Sequence, residues 1–214
     1  MRALPQRIFI TGIGTGVGKT ISSAVMVEAL QADYWKPVQC GNLELGDSEL
    51  VKGLLRSDNS KIHPEAYRLK LASSPHYAAK AENVEIKLGS FNLPITDTRL
   101  IIEGAGGLMV PLNEKDVVID LIVKLKTPAI LIVRNYLGSI NHTLLSIDAL
   151  AQNGVELLGV IFSGDNFLDN EEIIQQLGKV KVLGHIDEAK EINNHFIKQQ
   201  AKKMRKSLAQ HFKF

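Results

Sequence analysis

The sequence holds a single cysteine, Cys40, so no disulfide can form within the chain. That fits a reducing compartment. It also lacks any apolar stretch near the roughly 20 residues that a membrane-spanning helix needs. The opening MRALPQRIFI has too short an apolar run for a secretory signal. An excess of one charge is missing as well. The formal net charge of +2 is too small to argue by itself for nucleic acid or a membrane surface. Internal repeats, low-complexity tracts and long linkers are absent. What remains is an ordinary soluble composition, 45% hydrophobic and 22% charged. The 214 residues suffice for one domain with a sizeable core. A soluble cytoplasmic protein with one domain over residues 1–214 is the expectation.

Short aliphatic runs alternate with helical patterns. Strands are predicted at 7–11, in YWKPV (34–38), in TRLIIEGAGG (98–107), in PAILIVRN (128–135), in VELLGVIFSG (155–164) and in VKVLGHI (180–186). Helices are predicted at 18–31, in DSELVKGLLRS (47–57), in DVVIDLIVKL (116–125), over 139–153 with Ser139 or Asn141 as cap, in NEEIIQQL (170–177) and from about Lys190 onward. Continuously apolar strands alternating with helices imply a three-layer α/β fold, a mostly parallel sheet with helices on both faces. Ligands bind such sheets beyond the carboxyl ends of the strands. That points to Gly12–Thr20, Lys36–Gly41, Glu103–Gly107, Arg134–Asn141 and Ser163–Asn166.

TGIGTGVGKT (11–20) follows the first strand. A phosphate-binding loop usually reads glycine, four residues, then Gly-Lys-Ser/Thr. Here the position that should hold that glycine is Ile13, and glycines stand at 12, 14 and 16 instead. The loop is one residue longer than usual. Its glycines let backbone N–H groups turn inward around phosphate oxygens, and the next helix adds its dipole. Gly14, Thr15, Gly16, Val17, Gly18, Lys19 and Thr20 form the expected nucleotide cradle of a P-loop NTPase. Lys19 supplies charge for the β- and γ-phosphates, and the Thr20 hydroxyl is a candidate Mg²⁺ ligand.

This longer loop resembles that of the dethiobiotin synthetases, whose common form is GTDTEVGKT. Gly12, Thr15, Val17, Gly18, Lys19 and Thr20 match it, while Gly14 and Gly16 stand where the family has acidic residues. WKPVQCG (35–41) is similar to the family's YKPVxSG, which implies that Lys36 contacts substrate and phosphate. Read from the residues alone, a lysine at a strand end can stabilise a transferring phosphoryl group or simply reach to solvent. Cys40 stands where the family usually has serine and reads as a pocket-lining residue. Asp47 in GDSEL matches the family's metal-binding aspartate. By itself it fits a helix N-cap equally well. Glu103, carried to a strand end before Gly-Ala-Gly-Gly, is where a second Mg²⁺ ligand belongs, or a capping carboxylate. SSPHYAA (73–79) resembles a further family segment, but His76 is assigned no chemistry.

NYLGSINHTLLS (135–146) resembles the family's LGxINH stretch. That likeness implies backbone contacts from Leu137, Gly138, Ser139, Ile140 and Asn141 to the substrate's terminal carboxylate, across a dimer interface. Thr15, Lys36, Cys40 and Gly106 complete the implied substrate site. The family commonly reads adenine with an asparagine where this chain has Ser163, with Asn166 three residues later. Asp187 stands where the family commonly has proline. Weaker purine selectivity, or Asn166 in the missing role, is expected.

The resemblance implies a homodimeric ligase that uses ATP, Mg²⁺ and CO₂ to close the ureido ring of dethiobiotin on 7,8-diaminononanoate, in biotin biosynthesis. Lys19 and Lys36 would be its catalytic lysines, and Thr20, Asp47 and Glu103 its metal ligands. The alternative is a dimeric ATP-switched partitioning or positioning protein of the same fold. Such loops usually carry an extra lysine near their start, which Gly-Ile-Gly-Thr-Gly lacks. The C-terminal KQQAKKMRKSLAQHFKF carries six Lys and Arg residues. It reads as a solvated helix face, so neither nucleic acid nor membrane is an expected partner.

Overall fold

The computed structural model describes residues 1–55, 60–165 and 168–214. In chain order the elements begin with β1 (Arg2–Ala3), β2 (Arg7–Gly12), α1 (Lys19–Leu30), β3 (Asp33–Trp35), β4 (Val38–Cys40) and α2 (Asp47–Leu54). Next come β5 (Ile62–His63), β6 (Tyr67–Leu69), α3 (Pro75–Ala81), a 3₁₀ turn (Leu88–Ser90), β7 (Leu100–Gly107) and α4 (Val118–Leu125). The rest are β8 (Ala129–Arg134), α5 (Ser139–Gln152), β9 (Leu157–Ser163), α6 (Leu168–Gly178), β10 (Val182–Ile186), α7 (Asn194–Leu208) and β11 (Phe212–Lys213).

Seven strands form one sheet in the order β10-β9-β8-β2-β7-β3-β5. All its pairings are parallel. Alternation along the strands explains the layers. Ile8, Ile10, Tyr34, Ile101 and Ile130 share a core with Val25 of α1 and Met204 of α7. Phe9, Trp35, Ile102 and Ala129 face the opposite way, onto Ala78 of α3 and Ile122 of α4. Leu131, Val133, Val160 and Phe162 pack against Ile174 of α6. Each fully buried aliphatic side chain contributes about 1.5–3 kcal/mol, so a strand apolar on both faces is stable only between two helix layers. β2 is central, with β8 on one side and β7 on the other, so the chain reverses its direction of winding there. The loop after β2 leaves the sheet at that switch point, where such folds place ligands.

Several expected boundaries are corrected. YWKPV is not one strand: β3 stops at Trp35, and β4 pairs with β6 in a separate two-stranded sheet. Pro37 has no N–H for the main ladder, and its carbonyl accepts instead from the Ala66 and Tyr67 amides at 3.0 and 3.1 Å. Neither Ser139 nor Asn141 caps α5. Gly138 does, with φ +100°. Gly46, not Asp47, caps α2. The basic tail forms α7, capped by Asn193, whose side chain accepts from Phe196 N. Its apolar face, Ile197, Ala201, Met204 and Leu208, is buried. Among the described residues no helix is long and apolar enough to cross a membrane.

Candidate nucleotide and substrate site

The loop after β2 owes its shape to two glycines. Gly18 has φ +91°, and a Cβ there would collide with Ser163 Oγ at the end of β9. At Gly12 a Cβ would lie 2.6 Å from Val17 Cγ2. Val17 is buried and anchors the loop from beneath. Gly14 and Gly16 have open space, so no packing forbids a side chain at either, although Gly16 has φ +74°. Lys19 Nζ turns back and donates to Gly14 O at 2.7 Å, crossing the concave side of the loop. Burial lowers the Lys19 pKa to about 8, a fall that Glu103 opposes and Lys36 deepens.

Glu103 is the hub beside the loop. It ends the apolar part of β7 at 1% exposure. Its Oε1 accepts from Thr20 Oγ1 at 2.8 Å and from Lys36 Nζ at 3.2 Å, and its Oε2 accepts from Tyr34 OH at 2.9 Å. Lys36, 4% exposed, also meets Asp47 Oδ2 at 2.5 Å. It is therefore not a surface lysine. Burial pulls its pKa down, but the two carboxylates outweigh that and hold it above the ordinary value. Strand geometry brings these groups together. Tyr34 pairs with Ile101 and Trp35 with Ile102, so Lys36 emerges beside Glu103. Asp47 is steered by Gln39, whose Oε1 accepts the Asp47 N–H at 3.3 Å.

Asp47 and Glu103 thus flank one ammonium group, and Thr20 joins them through Glu103 Oε1. The described residues hold no cluster of three or more His, Cys, Asp or Glu side chains suited to a metal. The set that does converge is oxygen only, two carboxylates and a hydroxyl at the loop's helix start, and it already holds one cation. Mg²⁺ takes few protein oxygens and completes its shell with phosphate and water, so these residues fit it.

A cavity of about 380 Å³ opens next to Lys36, lined by Thr15, Cys40, Asp47, Gly106 and Val110 among others. Burial pushes the Cys40 thiol up to about 11, so it stays neutral and is not poised as a nucleophile. Leu137, Gly138, Ser139, Ile140 and Asn141 do not line this cavity. They lead into and open α5, and they do not line a second groove either, of about 410 Å³, which runs between the loop and His142 and Leu145 of that helix. Thr15 and Val110 border both spaces. A roomier cavity, about 710 Å³, lies away from the loop beside His76, Lys80 and Asn113. Size alone does not mark the chemistry, because none of the loop residues reaches it. Ser163 is buried against Gly18, and Asn166 lies outside the described residues. Asp187 follows β10 and is held by Gln200 at 2.9 Å and Lys203 at 2.5 Å.

No motif marks Tyr34 or Gln39 in the sequence. Tyr34 looks like any core residue of a strand. The one signal for it is its spacing of two from Lys36, which puts both on one face.

A family model described as an AAA domain matches residues 6–195. The ATP-dependent dethiobiotin synthetase BioD of Christiangramia forsetii is 49% identical over 207 residues, 97% of this chain and 100% of that relative. The chain belongs to the dethiobiotin synthetase family. The synthetase of Cytophaga hutchinsonii is 48% identical, covering 93% of this chain and 97% of its own. That of Brucella ovis is 47% identical over 85% of each. Among solved structures, the Pyrococcus furiosus cell division ATPase MinD superposes with a TM-score of 0.62 at 15% identity, covering 94% of this chain and 99% of its own. At that identity the likeness shows the fold that this synthetase family member shares with MinD, and nothing of partner or membrane binding.

Proposed function

We propose that this chain joins CO₂ to 7,8-diaminononanoate and closes the ureido ring of dethiobiotin at the expense of ATP, as a single domain in a cytoplasmic, reducing setting. Lys36, buried between Glu103 and Asp47 at the mouth of the cavity and one side chain from the phosphate loop, is the observation that carries this reading. One substrate amine takes up CO₂ as a carbamate and releases a proton. A carbamate oxygen attacks the γ-phosphorus, the bond to ADP breaks, and a carbamic-phosphoric anhydride forms. The second amine attacks the carbonyl carbon, phosphate leaves, and the five-membered ring is closed.

Phosphoryl transfer of this kind depends on positioning and charge neutralisation. The loop amides from Gly14 to Thr20 bind the phosphates, and Lys19 leaves the Gly14 carbonyl to hold the γ-phosphate. Lys36 neutralises carbamate and phosphoryl oxygens together. Thr20, Asp47 and Glu103 would hold Mg²⁺, which supplies charge to the triphosphate. Cys40 and Gly106 line the wall along the substrate. Ser163, packed against Gly18, would face the nucleoside. The start of α5, Leu137 to Asn141, does not line the cavity beside Lys36 and would receive the carboxylate of a substrate bound to the second copy of a homodimer.

Lys36→Ala tests this assignment. Turnover should fall by about 10²–10³, with ATP affinity changed only a few-fold, because the charge is needed mainly in the transition state. Equal losses in turnover and ATP binding would make Lys36 a ground-state phosphate contact.

A further inference from the structure

We propose that Tyr34 is a positioning residue that presents one chosen oxygen of Glu103 to the metal and phosphate site. The inference rests on the reading of Glu103 as a metal ligand and concerns how that ligand is held. A free carboxylate can rotate, bind a cation through both oxygens, or pair fully with a neighbouring lysine. Here Oε2 is taken by the Tyr34 hydroxyl at 2.9 Å, from the core side. Oε1 is left facing Thr20 and Lys36. The tyrosine cannot follow Glu103 if it swings. Its ring is fully buried in the layer under α1, and its backbone is locked to Ile101 in the same strand pair that carries Glu103. Glu103 is thereby fixed as a one-oxygen ligand, and Lys36 stays shared with Asp47.

Tyr34→Phe keeps the ring and removes only the hydroxyl. Mn²⁺, a paramagnetic stand-in for Mg²⁺, would be titrated by electron paramagnetic resonance into the full chain bound to a non-hydrolysable ATP analogue. The variant should bind Mn²⁺ about tenfold or more weakly, as loss of a group that orients a ligand does. Its affinity for the analogue in EDTA should stay within about twofold, which general core damage would not spare. Mn²⁺ affinity like that of the wild type overturns the inference and leaves the hydroxyl with a burial role only. Glu103→Gln separates the two layers. If it loses Mn²⁺ binding while Tyr34→Phe keeps it, Tyr34 alone is refuted. If Glu103→Gln itself binds Mn²⁺ normally, the metal-ligand reading falls and the inference with it. Should Tyr34→Phe not fold, the wild-type chain labelled with ¹³Cζ-tyrosine answers instead. It has four tyrosines. The signal left unassigned by Phe variants of Tyr67, Tyr77 and Tyr136 must move when Mg²⁺ joins the nucleotide complex, and no movement overturns the inference.

Discussion

Lys19 is a cation held in a place that disfavours its charge. Burial leaves its pKa at about 8, so the ammonium is present below that pH and lost above it. Affinity for metal-free ATP should therefore be flat near pH 7. It should then fall as pH rises through 8, by up to about tenfold per unit. Calorimetric titrations from pH 6.5 to 9.5 check this, and constant affinity over that range would refute the assigned contact. The loop glycines make a paired prediction. Gly18→Ala forces a left-handed residue, costing about 1–2 kcal/mol before its clash with Ser163 is counted. It should lower the melting temperature and abolish nucleotide binding. Gly14→Ala meets no atom and has no positive φ, so stability should stay within about 0.5 kcal/mol.

At the scale of elements, α6 and β10 meet through a buried carboxylate. Glu171 packs against His185 with Oε2 3.2 Å from Nε2, and burial raises its pKa to about 7. His185 is lowered, chiefly by burial, so the neutral forms of both are favoured. A carboxyl whose folded pKa exceeds its unfolded value stabilises the fold below about pH 4.5, and that stability is lost as pH rises through 7. Glu171→Gln removes the ionisation and keeps a donor to His185. It should gain about 1 kcal/mol over the wild type at pH 8, after discounting for solvent screening, and almost nothing at about pH 4. Thermal melts at the two pH values decide it. The long elements were legible in the sequence for the same reason that they are stable. β2, β7, β8 and β9 are apolar on both faces, and that pattern has few other solutions. β4, β5 and β6 were not legible. They are two or three residues long; β4 and β6 owe their pairing to where Pro37 and Ala66 lie in space, and β5 to the Tyr34 amide meeting the Lys61 carbonyl. The site was legible where a motif carries its own mechanism, as at Lys19 and Thr20. Tyr34 and Gln39 act through partners that only the strand register brings near.

On the whole molecule, Met109 and Leu145 are largely exposed at the groove along α5, and Leu137, just before that helix, is fully exposed. Exposed apolar surface beside a groove marks an interaction face, and the proposed homodimer would cover this one. Leu137→Asp should shift the protein to monomers in sedimentation and lower activity in parallel, whereas an active monomer would separate the site from the dimer. Ser163, proposed to lie near the nucleoside, carries one short hydroxyl where an amide is common in the family. Turnover with GTP or CTP should approach that with ATP, or ATP preference should depend on Asn166, and a strong ATP preference that survives Asn166→Ala would contradict both. The central claim is tested most directly by phosphate release from the purified chain with ATP and Mg²⁺, with and without 7,8-diaminononanoate and bicarbonate. Release that requires both, with the bicarbonate carbon recovered in a cyclic urea, is the predicted result. Release indifferent to the diamine would contradict the account and leave an ATPase whose substrate lies elsewhere.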